Sequence, residues 1–316
     1  MMNGLDFRRL RRWELALAAF ALSAPFALPL LAPGAPSLMR PAMAQGLEQP
    51  DVSRIVSVGG AITEIIYALG EESRLVGRDS TSTYPEAARK LPDVGYMRQL
   101  APEGIIAVNP TAIVAIEGSG PPEALAVLKE ANIPFTSIAE THDRDGILAK
   151  IRAVGTFLGV KDKAEALAQT VEKDLDAAVA VSAGRPEGER KRILFILSTQ
   201  GGKIMASGTG TAANGIIELA GAVNAASTFP GYKALTEEAI VEAKPDVILM
   251  MDRGGSHAAS PDELFALPAL SLTPAAKSKA LIRMDGLHLL GFGPRTASAI
   301  RELNAAIYGK KPNASQ

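Results

Sequence analysis

The sequence carries a partial copy of itself. The stretch "DVGYMRQLAPEGIIAVNPTAIVAI" (residues 93–116) is echoed by "LTEEAIVEAKPDVILM" (residues 235–250). One offset of 135 residues places Leu100 on Leu235, Glu103 on Glu238 and Pro110 on Pro245. In each copy a helical pattern stops before an Asn-Pro or Lys-Pro pair, because proline lacks an amide hydrogen and restricts the residue before it. An apolar, partly β-branched run then follows, Thr111–Ile116 or Asp246–Met251, the pattern of a buried parallel strand. Two such units predict two similar lobes, each offering one glutamate at the same place. Tyr-Met-Arg precedes the first copy only, and this asymmetry is the main sequence pointer to function.

The rest of the chain fits that plan. "RIVSVGG" from Arg54 reads as a strand and glycine turn, and "AITEIIYALG" as a helix stopped by Gly70. "RLVGRDSTSTYP" is a strand entering a polar loop, followed later by a helix over 122–131 and a strand over 134–138. Strands alternating with helices predict a parallel sheet. Residues 144–183 are helical throughout, with Ile147, Ile151, Val154 and Leu158 on one face and Ala164, Leu167, Val171, Leu175 and Ala178 continuing beyond Gly159. This stretch is the natural stiff connector. "RILFILSTQGG" and "GTAANGIIELAG" then restart the strand–loop–helix plan, "GGKIMASGTGT" reading as a turn. The expected fold is α/β: two Rossmann-like lobes with mainly parallel sheets, joined by one long helix, with a ligand cleft between them. Residues 45–143 form the first lobe, 144–189 the helical region and 190–316 the second lobe, and 316 residues suffice for two separate cores. Gly70 to Glu103 takes 33 residues, whereas the equivalent Gly221 to Glu238 takes 17. The longer segment holds "STSTYP" and "GYMR", and an insertion in a repeated plan is expected to be functional.

Several function classes are disfavoured. A net charge of −1 gives no bulk attraction to nucleic acid or anionic membrane. The absence of cysteine removes disulfides, thiolate metal sites, cysteine nucleophiles and a lipid anchor on an N-terminal cysteine. No G-x-S-x-G elbow, P-loop or dinucleotide fingerprint occurs. His142, His257 and His288 read as solvated or cleft-facing histidines in preference to metal ligands. At the N-terminus, Arg8, Arg9, Arg11 and Arg12 precede an apolar run from Leu15 to Leu31, and "AMA" ends at Ala44. This predicts a secretory signal over 1–44, cleaved after Ala44, and a periplasmic mature chain.

Tyr96 and Arg98 lie two residues apart, so an extended backbone would point them the same way. A guanidinium beside a phenol favours the phenolate, a hard anion suited to ferric iron and able to serve as an axial haem ligand. The alternative is a tyrosine packed at a lobe edge beside a solvated arginine. Glu103 and Glu238 read singly as helix-start acids. As a pair, one on each lobe, they read as docking groups for arginines of a partner.

With these residues in view, the chain resembles the periplasmic haem-binding proteins of bacterial ABC importers, in the wider group that also carries cobalamin and ferric siderophores. "LPDVGYMRQLAPEGIIAVNPT" carries the likeness most specifically, supported by "RIVSVGGAITEIIYALG", "GTGTAANGIIELAG" and "LLGFGPRTA". The resemblance implies haem (hemin) as a transported ligand in the inter-lobe cleft, with Tyr96 on the iron, Arg98 supporting it, and Glu103 and Glu238 docking on the permease. It implies a non-enzymatic, monomeric carrier that receives haem from an outer-membrane receptor and serves an inner-membrane permease and ATPase. Some relatives supply a histidine from the loop after the first strand of the second lobe. Here that loop reads "STQGGK", which favours five-coordinate iron and leaves Ser198, Thr199, Gln200 and Lys203 as possible cleft lining.

Overall fold

A computed structural model describes residues 51–183, 185–252 and 260–309. The expected signal segment and His257 lie outside the described residues. In the first half the chain runs β1 (Ile55–Val58), α1 (Gly60–Ala68), β2 (Leu75–Arg78), β3 (Gly95–Tyr96), β4 (Gln99–Leu100), α2 (Pro102–Ala107), β5 (Ala112–Ile116), α3 (Pro122–Glu130) and β6 (Phe135–Ile138). Two helices follow, α4 (Arg144–Leu158) and α5 (Lys161–Ala183). The second half runs β7 (Arg192–Ser198), β8 (Ile204–Ser207), α6 (Ala212–Leu219), β9 (Val223–Asn224), β10 (Tyr232–Leu235), α7 (Glu237–Ala243) and β11 (Val247–Asp252). It closes with α8 (Pro261–Phe265), α9 (Pro268–Ser271), α10 (Pro274–Lys277), β12 (Leu281–Asp285), α11 (Gly286–Leu290) and α12 (Thr296–Tyr308). The expected elements of the first half and the connector are all present. Connector residues 144–183 are two helices, broken where Gly159 takes a left-handed φ of 74°.

The internal copy holds at the level of single bonds. β1 pairs in parallel with β5, and β7 with β11, in the same register: Ile55 faces Ala112 as Ile193 faces Val247. Arg54 at the head of β1 donates through Nε and Nη to the carbonyls of Asn109 and Val108, where α2 ends. Arg192 at the head of β7 donates to the carbonyl of Ala243, which is Val108 plus 135. Asn109 and Lys244, also 135 apart, both adopt left-handed φ, 47° and 45°. Each chain reversal before its proline is therefore built the same way.

The first sheet is parallel, in the order β2-β1-β5-β6. The second is mixed: β11 and β12 extend β7 in parallel, β9 pairs with the start of β7 as β2 does with β1, and an antiparallel pair, β8 and β10, is added at one edge. The "KIMAS" segment read as a turn is thus strand β8. Its four-residue length and flanking glycines mask the period-two signal.

The cores are not separate. Alternate side chains of each sheet point into an outer cluster of their own, Val56 and Ile113 joining Leu128 of α3 in the first half, Leu194 and Ile248 joining Leu270 of α9 in the second. The opposite faces join one continuous cluster. In it Ile62 and Ile66 of α1, Ile151 of α4, Leu175 of α5, Phe195 of β7, Ile216 of α6 and Ile300 of α12 all participate. The connector helices thus form the shared middle layer, because they carry an apolar face toward both sheets. Salt bridges fix their outer faces: Arg144 to Glu172 and Asp176, and Arg152 to Glu165.

Candidate functional site

Tyr96 sits on a small hairpin after β2. Asp79, at the end of β2 and fully buried, accepts from the Gly59 amide at 2.9 Å and from the hydroxyls of Thr81 and Ser82. Ser82 continues a buried hydroxyl chain through Thr63 to Ser57. The first half of the polar insertion is therefore structural, where the sequence pattern had marked it as functional. Its later part makes the hairpin: Gly95 faces Leu100, and Tyr96 faces Gln99. The Gly95 carbonyl accepts from Ser80, and the Met97 carbonyl accepts from Gly120. Both sides of Tyr96 are thus clamped by backbone bonds while its ring stays 44 % exposed.

The relation of Tyr96 to Arg98 differs from the extended backbone expected. Met97 and Arg98 form the tight turn between β3 and β4. Met97 turns inward against the hydrophobic cores, and Tyr96 and Arg98 are both exposed around it.

Sequence reasoning missed a second tyrosine, one whose phenol feels the charges of Tyr96 and Arg98. Tyr232 begins β10, opposite Ser207 of β8. The preceding Gly231 is tied to Gly208 and Thr209 by backbone bonds of 2.7 and 2.9 Å, as Gly95 is tied to Ser80. Burial pushes the Tyr232 phenol up. Its bond to the Ser207 side chain and the charge of Arg98 pull it down, and Tyr96 pushes it up again. Tyr96 and Arg98 of the first half and Tyr232 of the second thus lie close enough for their charges to interact. The copy had been visible with a one-residue gap: "GYMRQL" (95–100) against "GYKAL" (231–235). A rigid offset of 135 sets Tyr96 against Gly231 and hides it. The second unit is therefore preceded by its own Gly-Tyr-cation triplet, with Lys233 in the basic place.

Among the described residues the lobes touch at two places that flank helices α1 and α4. The loop before α4 seats His142 edge-on against Phe292, with ring centroids 5.2 Å apart. A Cβ built on Gly215 at the start of α6 would lie 2.2 Å from the His142 carbonyl, so only glycine permits this approach. Lys150 of α4, 1 % exposed, donates to Glu140 at 2.6 Å and to the Phe292 carbonyl at 3.1 Å. Beside them a cavity of about 350 Å³ is lined by residues that include Glu140, Asp143, Asn214 and Glu218. At the other place Glu64 of α1 binds both the amide and the guanidinium of Arg295, at 3.1 and 3.0 Å. The same guanidinium stacks 3.5 Å over the Tyr84 ring. A cavity of about 480 Å³ there is lined by residues that include Arg89, Asp285, His288 and Glu302.

His142 is half-buried, not solvated. Burial, then the charges of Lys150 and Arg98, hold its pKa below 6.5, while Asp143 opposes them. Glu140 lies 3.9 Å away, but Lys150 holds that same oxygen. A folded imidazole that binds its proton less readily than the unfolded one leaves stability intact above the unfolded pKa and erodes it as pH falls through that value. Urea unfolding at about pH 7.5 and about pH 5.5 should show lower stability at the acid end, and His142→Gln should remove part of that difference. An undiminished difference in the variant would clear the imidazole of this role.

The other expected residues lie at distinct positions. Ser198 ends β7, and Thr199, Gln200 and Lys203 form the tight connection to β8, with Gln200 and Lys203 exposed. Glu103 and Glu238 are exposed in the first turns of α2 and α7, seven residues after Tyr96 and six after Tyr232, and equivalent to each other. Among the described residues no group of three or more His, Asp or Glu could hold a metal ion, and no helix is long and apolar enough to cross a membrane.

Comparisons with known proteins agree with this architecture. The fold superposes on the periplasmic heme-binding protein BhuT in complex with two hemes, with a TM-score of 0.76 and 39 % identity over 80 % of this chain and 97 % of that one. The apo periplasmic heme-binding protein RhuT from Roseiflexus sp. RS-1 gives 0.77 and 38 % over 81 % and 98 %. The vitamin B12-binding protein of Pectobacterium carotovorum is 24 % identical over 263 residues, 83 % of this chain and 91 % of that protein. The family model described as periplasmic binding protein matches residues 55–286, from β1 through the start of α11, and the chain belongs to that family.

Proposed function

We propose that this protein is a periplasmic carrier of ferric haem. The observation that carries the reading is the exposed Tyr96, clamped on its hairpin beside Arg98 and close enough to Tyr232 of the second half for their charges to interact. A macrocycle entering the gap between lobes meets a phenol from each lobe. Tyr96 binds the iron as phenolate, and Arg98 offsets its negative charge. Tyr232 and Lys233 form the opposing wall, and Ser198, Thr199, Gln200 and Lys203 are candidates for the outer rim. The likeness to haem-binding structures at 38–39 % identity supports haem over cobalamin. The cobalamin reading rests on relatives near 24 % identity.

The carrier is exported by the signal over residues 1–44, takes haem supplied from an outer-membrane receptor, and works as a monomer that catalyses no reaction. It delivers haem to an inner-membrane permease and ATPase for iron acquisition. The shared middle layer of α4 and α5 resists wide opening, so release depends on the permease prying the lobes. Equilibrium titration with hemin, cyanocobalamin and a ferric siderophore tests the cargo. Hemin should bind at least about a hundredfold tighter than the others. Preferential binding of cyanocobalamin would replace haem as the cargo.

Glu103 and Glu238 dock on basic pockets of the permease. The double variant Glu103→Ala, Glu238→Ala should bind hemin as the parent does and fail to support uptake by the importer in proteoliposomes. Uptake at the parental rate would refute the docking role.

A further inference from the structure

The duplication leaves a matched surface outside the cleft. Under the 135-residue offset α2 and α7 agree in burial: Ile105 and Ile240 are buried, Glu103 and Glu238 exposed, Ile106 and Val241 exposed. Ile106 and Val241 each stand three residues after the glutamate, one turn on along the same face. The neighbouring helix adds a second apolar group. Val127 is exposed on α3, which packs on α2, and Leu272 is exposed at the end of α9, which packs on α7. Among the described residues five large aliphatic side chains are exposed, and four of them are these, the fifth being Val181. Such side chains scattered at random need no explanation, but Ile106 and Val241 at equivalent positions one turn from equivalent carboxylates, each on a helix packed against one that carries a further exposed aliphatic residue, do.

We infer that each patch is a two-part anchor, and that Ile106 with Val127 and Val241 with Leu272 fill apolar pockets beside the cations that receive Glu103 and Glu238. This rests on the reading of those glutamates as docking residues. The occupant is a membrane protein that presents one cation-and-pocket pair twice, related by a two-fold axis, as a permease of two like subunits does. Two equivalent patches on one chain require two equivalent sockets. The chemistry also needs both parts. An exposed ion pair is weak and screened by salt, whereas apolar burial persists as salt rises. The carboxylate supplies orientation and the aliphatic pair supplies the salt-resistant share of affinity.

The test uses the hemin-loaded carrier and the permease–ATPase it serves, held in nanodiscs, at low and high salt. Ile106→Ser with Val241→Ser should weaken binding by about tenfold or more at both salt concentrations, while hemin titration and the thermal unfolding midpoint stay unchanged. Glu103→Gln with Glu238→Gln should lose most of the salt dependence and keep the salt-resistant part. Parental affinity in the Ile106→Ser, Val241→Ser variant, with the glutamate variant weakened, would overturn the anchor and leave the docking face standing. Parental affinity in the glutamate variant would overturn the docking face itself.

Discussion

Replacing Tyr96 by alanine should weaken hemin binding by about a hundredfold or more, equivalent to roughly 3 kcal/mol. The magnitude follows from the role of the side chain. In the proposed carrier it supplies the anionic donor to the iron, and no cysteine exists to take its place. His142 and His288 do not compensate, since each is already engaged. His142 is packed on Phe292, and His288 lies between Glu302 at 3.3 Å and Arg295 at 3.4 Å. Tyr96→Phe separates ligation from packing, because it keeps the ring and removes the oxygen. If the phenolate binds iron, Phe should be nearly as damaging as Ala, and Tyr232→Phe should cost less than either. Thermal unfolding of the apo protein should not change in either Tyr96 variant, since that residue is 44 % exposed. Parental affinity in Tyr96→Phe would place the iron elsewhere.

The second large effect concerns stability. Lys150→Ala should lower the unfolding free energy by about 3 kcal/mol or more, read from urea melts. The ammonium donates to the Phe292 carbonyl and also holds Glu140. Burial pushes Lys150 down and Glu140 up in pKa, and each partner opposes the shift of the other. Removing one member leaves a largely buried carboxylate and an unpaired carbonyl, the costly way to break such a pair. Lys150→Met with Glu140→Gln removes both charges and should recover most of the loss. A single Lys150→Ala variant as stable as the parent would show that water replaces the ammonium without cost. Since the bond to Phe292 reaches from α4 to the second lobe, the single variant should also speed hydrogen exchange in the loop before α4.

Much of this architecture was legible in the sequence for a local reason. Strand and helix periods, proline stops and terminal glycines are read within a few residues, and these gave the parallel first sheet, the parallel part of the second and the helical connector. The 135-residue offset was a stronger signal than any single motif, because Arg54 and Arg192, Asn109 and Lys244, and the paired strands all obey it or a near neighbour of it. Three features escaped. β8 is short and flanked by glycines, so its alternation had too few residues to register. Tyr232 was hidden by one missing residue in the second copy. The fused core depends on α4 and α5 facing both sheets at once, a property of packing that a one-dimensional pattern does not contain. The structural half of the polar insertion was misread for a similar reason: Ser57, Thr63, Asp79 and Ser82 meet only when β1, α1 and β2 are assembled.

The claim on which the functional account depends is a bond between one phenolate oxygen and ferric iron. Resonance Raman and visible spectra of the hemin complex test it most directly. The parent should show iron–tyrosinate vibrations together with a high-spin ferric spectrum, and Tyr96→Phe should lose both while Tyr232→Phe keeps them. A hemin complex of the parent without tyrosinate vibrations, or with vibrations that survive Tyr96→Phe, would contradict it.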